Sequence, residues 1–253
     1  MHLAPWSYPL LFLAGLAAGL VDSIAGGGGL IALPALLNVG LPVPLALGTN
    51  KFQSTFGSVA ASWHYARRGV VDLRACRLGI MMTLLGALGG ALAVQQIDSH
   101  LLGRLVPWLL AAILLYTVLR PAIGVHEQPP RMGEGAFFAV FGLGLGFYDG
   151  FFGPGVGSFW AIALIMLLGQ DFSRATGTTK VMNATSNLAA LAVFASAGLV
   201  HLAAGLTMGL GQVLGARLGA GLVVTKGVRF IRPVFLTMVT LTLARLVWLS
   251  FRS

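Results

Sequence analysis

The chain has 253 residues, 57% of them hydrophobic and only 9% charged, with a mean hydropathy of +0.88. A soluble domain carries about 25% charged residues, so this composition excludes one and leaves no room for a soluble catalytic domain. The formal net charge of +9 would suggest nucleic acid in a soluble protein. Here the basic residues flank apolar segments, so they report orientation in a membrane and no nucleic-acid partner.

A transmembrane helix needs about 20 mainly apolar residues, and the chain offers about eight such stretches. The start, MHLAPWSYP, has no basic run before its apolar stretch, so no cleavable signal is expected and the first stretch stays as a membrane helix. Apolar segments follow near 8–37, 51–66, 78–96 and 101–119. A polar, proline-bearing linker occupies 121–134, and further segments lie near 135–168, 178–197, 200–224 and 233–251. Trp6, Tyr8, Trp63, Tyr65, Trp108 and Trp248 lie near segment ends, where interfacial aromatics belong. Cys76 is alone, so no disulfide or cysteine metal site forms within one chain.

The two halves match. At an offset of 127, Gly15, Gly19, Asp22, Gly26 and Gly28 fall on Gly142, Gly146, Asp149, Gly153 and Gly155. At 129, Gly48, Thr49 and Lys51 fall on Gly177, Thr178 and Lys180, and Gly86 and Gly90 on Gly215 and Gly219. The Asp and Lys matches carry weight because the chain has five aspartates and three lysines in all. The expected fold is an all-α polytopic membrane protein, one domain over 1–253. Residues 8–120 form one four-helix repeat and 135–252 the other. Glycines four apart give each helix a small face for close packing.

The first segment of each repeat runs about 30 residues, too long for one straight span. It is interrupted by GGGG at 26–29 or GPGVG at 153–157. Residues 30–39 would rise only ~15 Å, half the membrane core. A broken helix, a re-entrant hairpin or both are expected there, and such backbone survives at membrane depth only where protein buries it or water reaches it. Arg67, Arg68, Arg74 and Arg77, then Arg120 and Arg131, then Lys226, Arg229 and Arg232 place their loops in the cytoplasm. The loops near 96–100 and 196–201 fall outside. The equivalent loops 67–77 and 196–201 then lie on opposite sides, so the repeats are expected to be inverted.

Lys51 in GTNKFQSTFGS and Lys180 in GTTKVMNATSN each open a stretch of small and polar residues. On a helix, Lys51, Ser54, Thr55 and Ser58 share a face, as do Lys180, Asn183, Ala184 and Asn187. Such faces, with helix N-termini beside them, suit an anion; alternatively each lysine snorkels to a headgroup. Asp22 and Asp149, just before the glycine breaks, either take up a proton or cation or cap a half-helix. Arg217 and Arg245 sit within apolar segments and either snorkel or meet solute. His2, His64, His100, His126 and His201 show no paired metal-ligand spacing. No nucleophile elbow or phosphate loop is present, so neither an enzyme nor a cofactor is expected.

GLVDSIAGGGGLIALPALL with ALGTNKFQSTFGSVAASWHYARRGVVDLR, and GFYDGFFGPGVGSFW with RATGTTKVMNATSNLAALAVFASAGLVH, resemble the two halves of the TauE/SafE family, the sulfite exporter or 4-toluene sulfonate uptake permeases. The resemblance covers nearly the whole chain. It implies a multi-pass bacterial inner-membrane permease for sulfite, thiosulfate, sulfonates or related anions.

The resulting expectation is a secondary transporter working by alternating access. Lys51 and Lys180 neutralise the anion, and Thr49, Asn50, Thr178, Thr179 and Asn183 donate hydrogen bonds. Backbone at Gly27, Gly28 and Gly155 completes the site, with protons as a candidate coupling ion. A homodimer is compatible with the sequence. The rivals are a cation or metal permease built on Asp22 and Asp149, a non-transporting membrane scaffold, and an intramembrane enzyme.

Overall fold

The computed structural model describes residues 3–119 and 129–226. The predicted segment at 233–251, with Trp248 and Arg245, and most of the 121–134 linker lie outside them. Among the described residues the structure is entirely helical, in nine helices. They are α1 (Ser7–Ala25), α2 (Gly29–Asn38), α3 (Val43–Arg67), α4 (Arg77–Gln95), α5 (Ser99–Leu119), α6 (Glu134–Phe151), α7 (Val156–Leu168), α8 (Phe172–Ser196) and α9 (Leu202–Lys226).

Both long first segments are broken at the glycines. Gly26 and Gly27 at φ 67° and 142°, and Gly153 and Gly155 at φ 98° and 84°, hold backbone that L side chains rarely adopt. The chain reverses at each break. A Cβ on Gly28 would lie 2.6 Å from the Ala18 carbonyl oxygen, ten residues back on α1. In the second half, the N–H groups of Arg131 and Met132 donate to the Leu167 carbonyl at 2.8 and 3.2 Å. The start of α6 therefore meets the end of α7, and the two form a hairpin.

The segment expected at 51–66 extends further. α3 begins at Val43, with a proline in its first turn, and carries the GTNK sequence in its interior. α8 does the same with GTTK and is capped by Asp171, which accepts from the N–H groups of Ser173 and Arg174. Polar residues blurred the hydropathy signal, but buried helices can carry them. α3 and α8 start 129 residues apart (43 and 172) and end 129 apart (67 and 196).

Helices of one half pack on helices of the other. α1 packs mainly on α9, and α6 on α4. Glycines make both contacts: Gly15, Gly19, Gly211 and Gly215 line the first, and Gly86, Gly90, Gly142, Gly146 and Gly150 the second. A Cβ on Gly86 or Gly215 would sit 2.3 or 2.1 Å from a carbonyl oxygen of the facing helix. α3 packs on α9 and α8 on α4, while α2 stays against α1 and α3, and α7 against α6 and α8. Two bundles result, one of α1, α2, α3 and α9, the other of α4, α6, α7 and α8. They face each other across α3 and α8.

The outward faces are apolar. Leu202, Leu206, Leu210, Leu214 and Leu218 form an exposed stripe at i, i+4 spacing along α9, the face a helix presents to lipid. Arg217 is exposed on the same helix, which fits snorkelling. Trp6, Trp63 and Trp108 are exposed, with the Arg67 guanidinium over the Trp63 ring at 4.7 Å. Tyr65 differs from expectation: it is fully buried and its hydroxyl donates to the Ser23 carbonyl at 3.0 Å, which ties α3 to α1.

Cys76 lies buried in the loop before α4. Burial first, with Glu134 and Asp72 adding to it against Arg174, pushes its thiol up to about 11. At neutral pH only about one molecule in 10⁴ then carries the reactive thiolate. Wild-type protein should resist a maleimide until denatured, as mass spectrometry of the labelled chain would read; fast labelling of folded protein would contradict this packing.

Candidate functional site

The two breaks meet. A Cβ on Gly26 would fall 2.4 Å from the Gly157 Cα, and Ser158 Oγ donates to the Gly26 carbonyl at 2.7 Å. The N-terminal turns of α2 and α7 thus come together between the bundles. Asp22 sits one turn before its break, and its Oδ1 accepts the N–H groups of Gly27 and Gly28 at 3.2 and 3.3 Å. Asp22 thus holds the turn between α1 and α2 through two backbone N–H groups just ahead of α2.

Lys51 and Lys180 are 1% and 0% exposed. Neither reaches a headgroup. Lys51 Nζ pairs with Asp149 Oδ1 at 2.5 Å and also donates to the Asp149 carbonyl. Lys180 Nζ pairs with Asp22 Oδ2 at 3.1 Å. The pairing is reciprocal: each half supplies the carboxylate for the other half's lysine, and both ion pairs cross from one bundle to the other. Asp149 Oδ2 also accepts from Ser186 Oγ.

A cavity of about 20 Å³ lies at this crossing, lined by Asp22, Asn50, Lys51, Ser54, Asp149, Asn183 and Asn187 and by backbone of Gly27, Gly29, Gly153, Gly155 and Gly157. That volume holds about one water. Gln53 Nε2 donates to Asn50 Oδ1 at 2.9 Å, while Asn183 Oδ1 is buried without a hydrogen-bond partner among the described residues.

Of the residues singled out in the sequence, Asp22, Gly27, Asn50, Lys51, Asp149, Gly155 and Asn183 line the cavity. Lys180 and Gly28 reach it through Asp22. Thr49, Thr178 and Thr179 do not line it. Because α3 and α8 are continuous, a residue two before the lysine is turned about 200° away. Thr49 Oγ1 accepts the His201 N–H at 2.9 Å, and Thr178 Oγ1 lies 3.4 Å from Gln170 Oε1. The buried Thr179 hydroxyl has no hydrogen-bond partner among the described residues. The lysines are not at helix N-termini; the termini at the cavity are those of α2 and α7.

Ser186 was not singled out. Its signal was weak, since it is one hydroxyl among many on α8, at the position matching Gly57 in the first half. Its role follows from its contact with Asp149. Among the described residues no cluster of three or more His, Cys, Asp or Glu side chains suits a metal.

Broken helices meeting at a buried, charged cavity, inside a shell of exposed leucines, define a membrane transporter. The model of the family described as sulfite exporter TauE/SafE matches residues 11–246, and the chain belongs to that family. It is 42% identical over 245 residues to the probable membrane transporter protein YfcA of Escherichia coli strain K12, covering 97% of this chain and 91% of that protein. It is 41% identical over 239 residues to a probable membrane transporter protein of Haemophilus influenzae, covering 94% of each. The probable membrane transporter protein ORF9 of a Sinorhizobium species is 43% identical over 234 residues, 92% of this chain and 89% of its own length. No solved structure matches the chain. The protein is a membrane transporter and not an enzyme.

Proposed function

We propose that the protein is a secondary transporter that moves a small sulfur-containing anion, such as sulfite, thiosulfate or an organosulfonate, across the bacterial inner membrane. The observation that carries this reading is a cavity at two helix N-termini that is lined by the buried Lys51, with the buried Lys180 held behind Asp22. An ammonium and the first-turn N–H groups of α2 and α7 favour negative charge. Asn50, Ser54, Asn183 and Asn187 supply neutral hydrogen-bond groups to orient an oxyanion.

The hairpin topology supports inverted repeats. A hairpin starts and ends on one side, so the first repeat makes three net crossings, through α3, α4 and α5. An odd number inverts the second repeat. The cytoplasmic side then receives the loop at 67–77, the start of α6 with Arg131 before it and the α7–α8 turn with Arg174, as the positive charges require.

The two bundles support an alternating-access reading. The cavity of about 20 Å³ is too small for an oxyanion, so the closed arrangement has to open. Both ion pairs span the interface between the bundles, so rocking one bundle against the other separates ammonium from carboxylate and exposes the site to one side. A cation permease is disfavoured because both carboxylates are already paired with lysine.

The test is a thermal-unfolding series on purified protein with sulfite, thiosulfate, methanesulfonate, sulfate and small carboxylates. A ligand at 100 times its Kd adds about 2.7 kcal/mol to the folded state. Stabilisation by the sulfur anions, and not by carboxylates or divalent cations, is expected. Stabilisation by cations alone would reject the reading.

A further inference from the structure

The four charges at the cavity sum to zero: Lys51 and Lys180 against Asp22 and Asp149. An anion entering this buried cluster adds an uncompensated negative charge, and one that takes a lysine from its carboxylate leaves that carboxylate buried and unpaired. Both are costly. On the anion-transport reading above, we propose that Asp149 takes up a proton as the anion binds, so that one proton crosses with each monovalent anion.

Hydrogen bonding selects Asp149 over Asp22. Two backbone N–H groups hold Asp22 Oδ1; an N–H can only donate, so these contacts suit a carboxylate. Asp149 Oδ2 meets a hydroxyl, which can donate or accept. In the closed state Ser186 donates to Asp149. Ser186 Oγ is also 3.1 Å from the carbonyl of Met182, one turn earlier on α8. When a proton bonds to Asp149 Oδ2 through a carboxylate lone pair, the new O–H donates to Ser186 Oγ, and Ser186 turns its own hydrogen to Met182. Every group stays satisfied in both states. Lys51 keeps its three N–H bonds, loses its ionic partner and remains at the cavity to face the anion. The matching position in the first half is Gly57, so Asp22 has no such hydroxyl.

The titratable groups around Asp149 are Lys51 on α3, Lys180 on α8, Asp22 on α1 and the neighbouring phenol of Tyr148, which donates to the Pro154 carbonyl at 2.7 Å. Between its ends α4 carries no charged residue and meets α6 at Gly150 through Ala87, and α7 has no titratable side chain.

The experiment uses purified protein in lipid vesicles with a pH-sensitive dye inside. Methanesulfonate serves as the probe, with thiosulfate in parallel, because neither takes up a proton near neutral pH. Influx of wild-type protein's methanesulfonate should acidify the lumen by one proton per anion. Its apparent affinity should tighten about tenfold per unit fall in pH, and Asp149→Asn should flatten that slope while Asp22→Asn keeps it. Anion flux without acidification, or a slope lost in Asp22→Asn and kept in Asp149→Asn, overturns the proposal. The wild-type dye signal decides the matter even where a variant fails to fold. Absence of flux with both probes in wild type would instead strike the anion reading itself.

Discussion

Lys51→Met is expected to abolish anion flux in vesicles and to destabilise the protein by about 3–5 kcal/mol. That is the cost of leaving a buried charge without its partner. The variant strands Asp149, which is 3% exposed, and keeps only the Ser186 hydroxyl on it. Adding Asp149→Asn should recover most of the stability, since no ionised group is then left unpaired, but should not recover flux. Lys180→Met should also stop transport with a smaller loss of stability, because the Asp22 side chain is 20% exposed and retains two backbone N–H donors. Urea or thermal unfolding and vesicle flux on the same preparations separate the two effects. Normal flux in both single variants would remove the lysines from the transport mechanism.

Gly90→Ala should be strongly damaging for a single-methyl change at the contact of α4 with α6. Its Cβ would lie 2.0 Å from the Phe147 carbonyl oxygen and 2.7 Å from the Phe151 nitrogen, both backbone atoms of α6 that cannot step aside singly. α6 would have to move away from α4, and α6 carries Asp149 and the second break. Overpacking of a filled contact costs about 1–3 kcal/mol, occasionally more, and the upper end is expected because the obstruction is backbone. Gly144→Ala, on α6 with nothing within 4 Å of its Cβ, should be neutral or gain up to about 1 kcal/mol from helix propensity. Comparable unfolding midpoints for the two variants would contradict the close packing of α4 on α6.

These predictions draw unequally on sequence and structure. The broken segments were legible because four successive glycines, or glycines around a proline, cannot continue a helix, and the match at offsets of 127 and 129 marked them as equivalent. The polar face of each lysine segment was legible from helical spacing: Ser54 and Asn187 were on the expected faces and line the cavity. The glycines four apart announced close helix contacts, but not which helices they join.

Local pattern determines where a helix stops and which of its faces is small, polar or oily, since those depend on neighbours within a few residues. Partnership between distant segments is settled by how the helices are packed. Hence hydropathy and spacing could not show that Lys51 meets Asp149 and Lys180 meets Asp22, each pair crossing between bundles. They could not show that Thr49 turns away to the His201 amide, or that Ser186 completes the Asp149 site. Those depend on rotation and registry of helices whose contacting residues lie 37 to 158 apart in the chain. In lipid the apolar surface supplies little force to select among arrangements, so backbone contact at glycines and the need to pair buried charge make that selection.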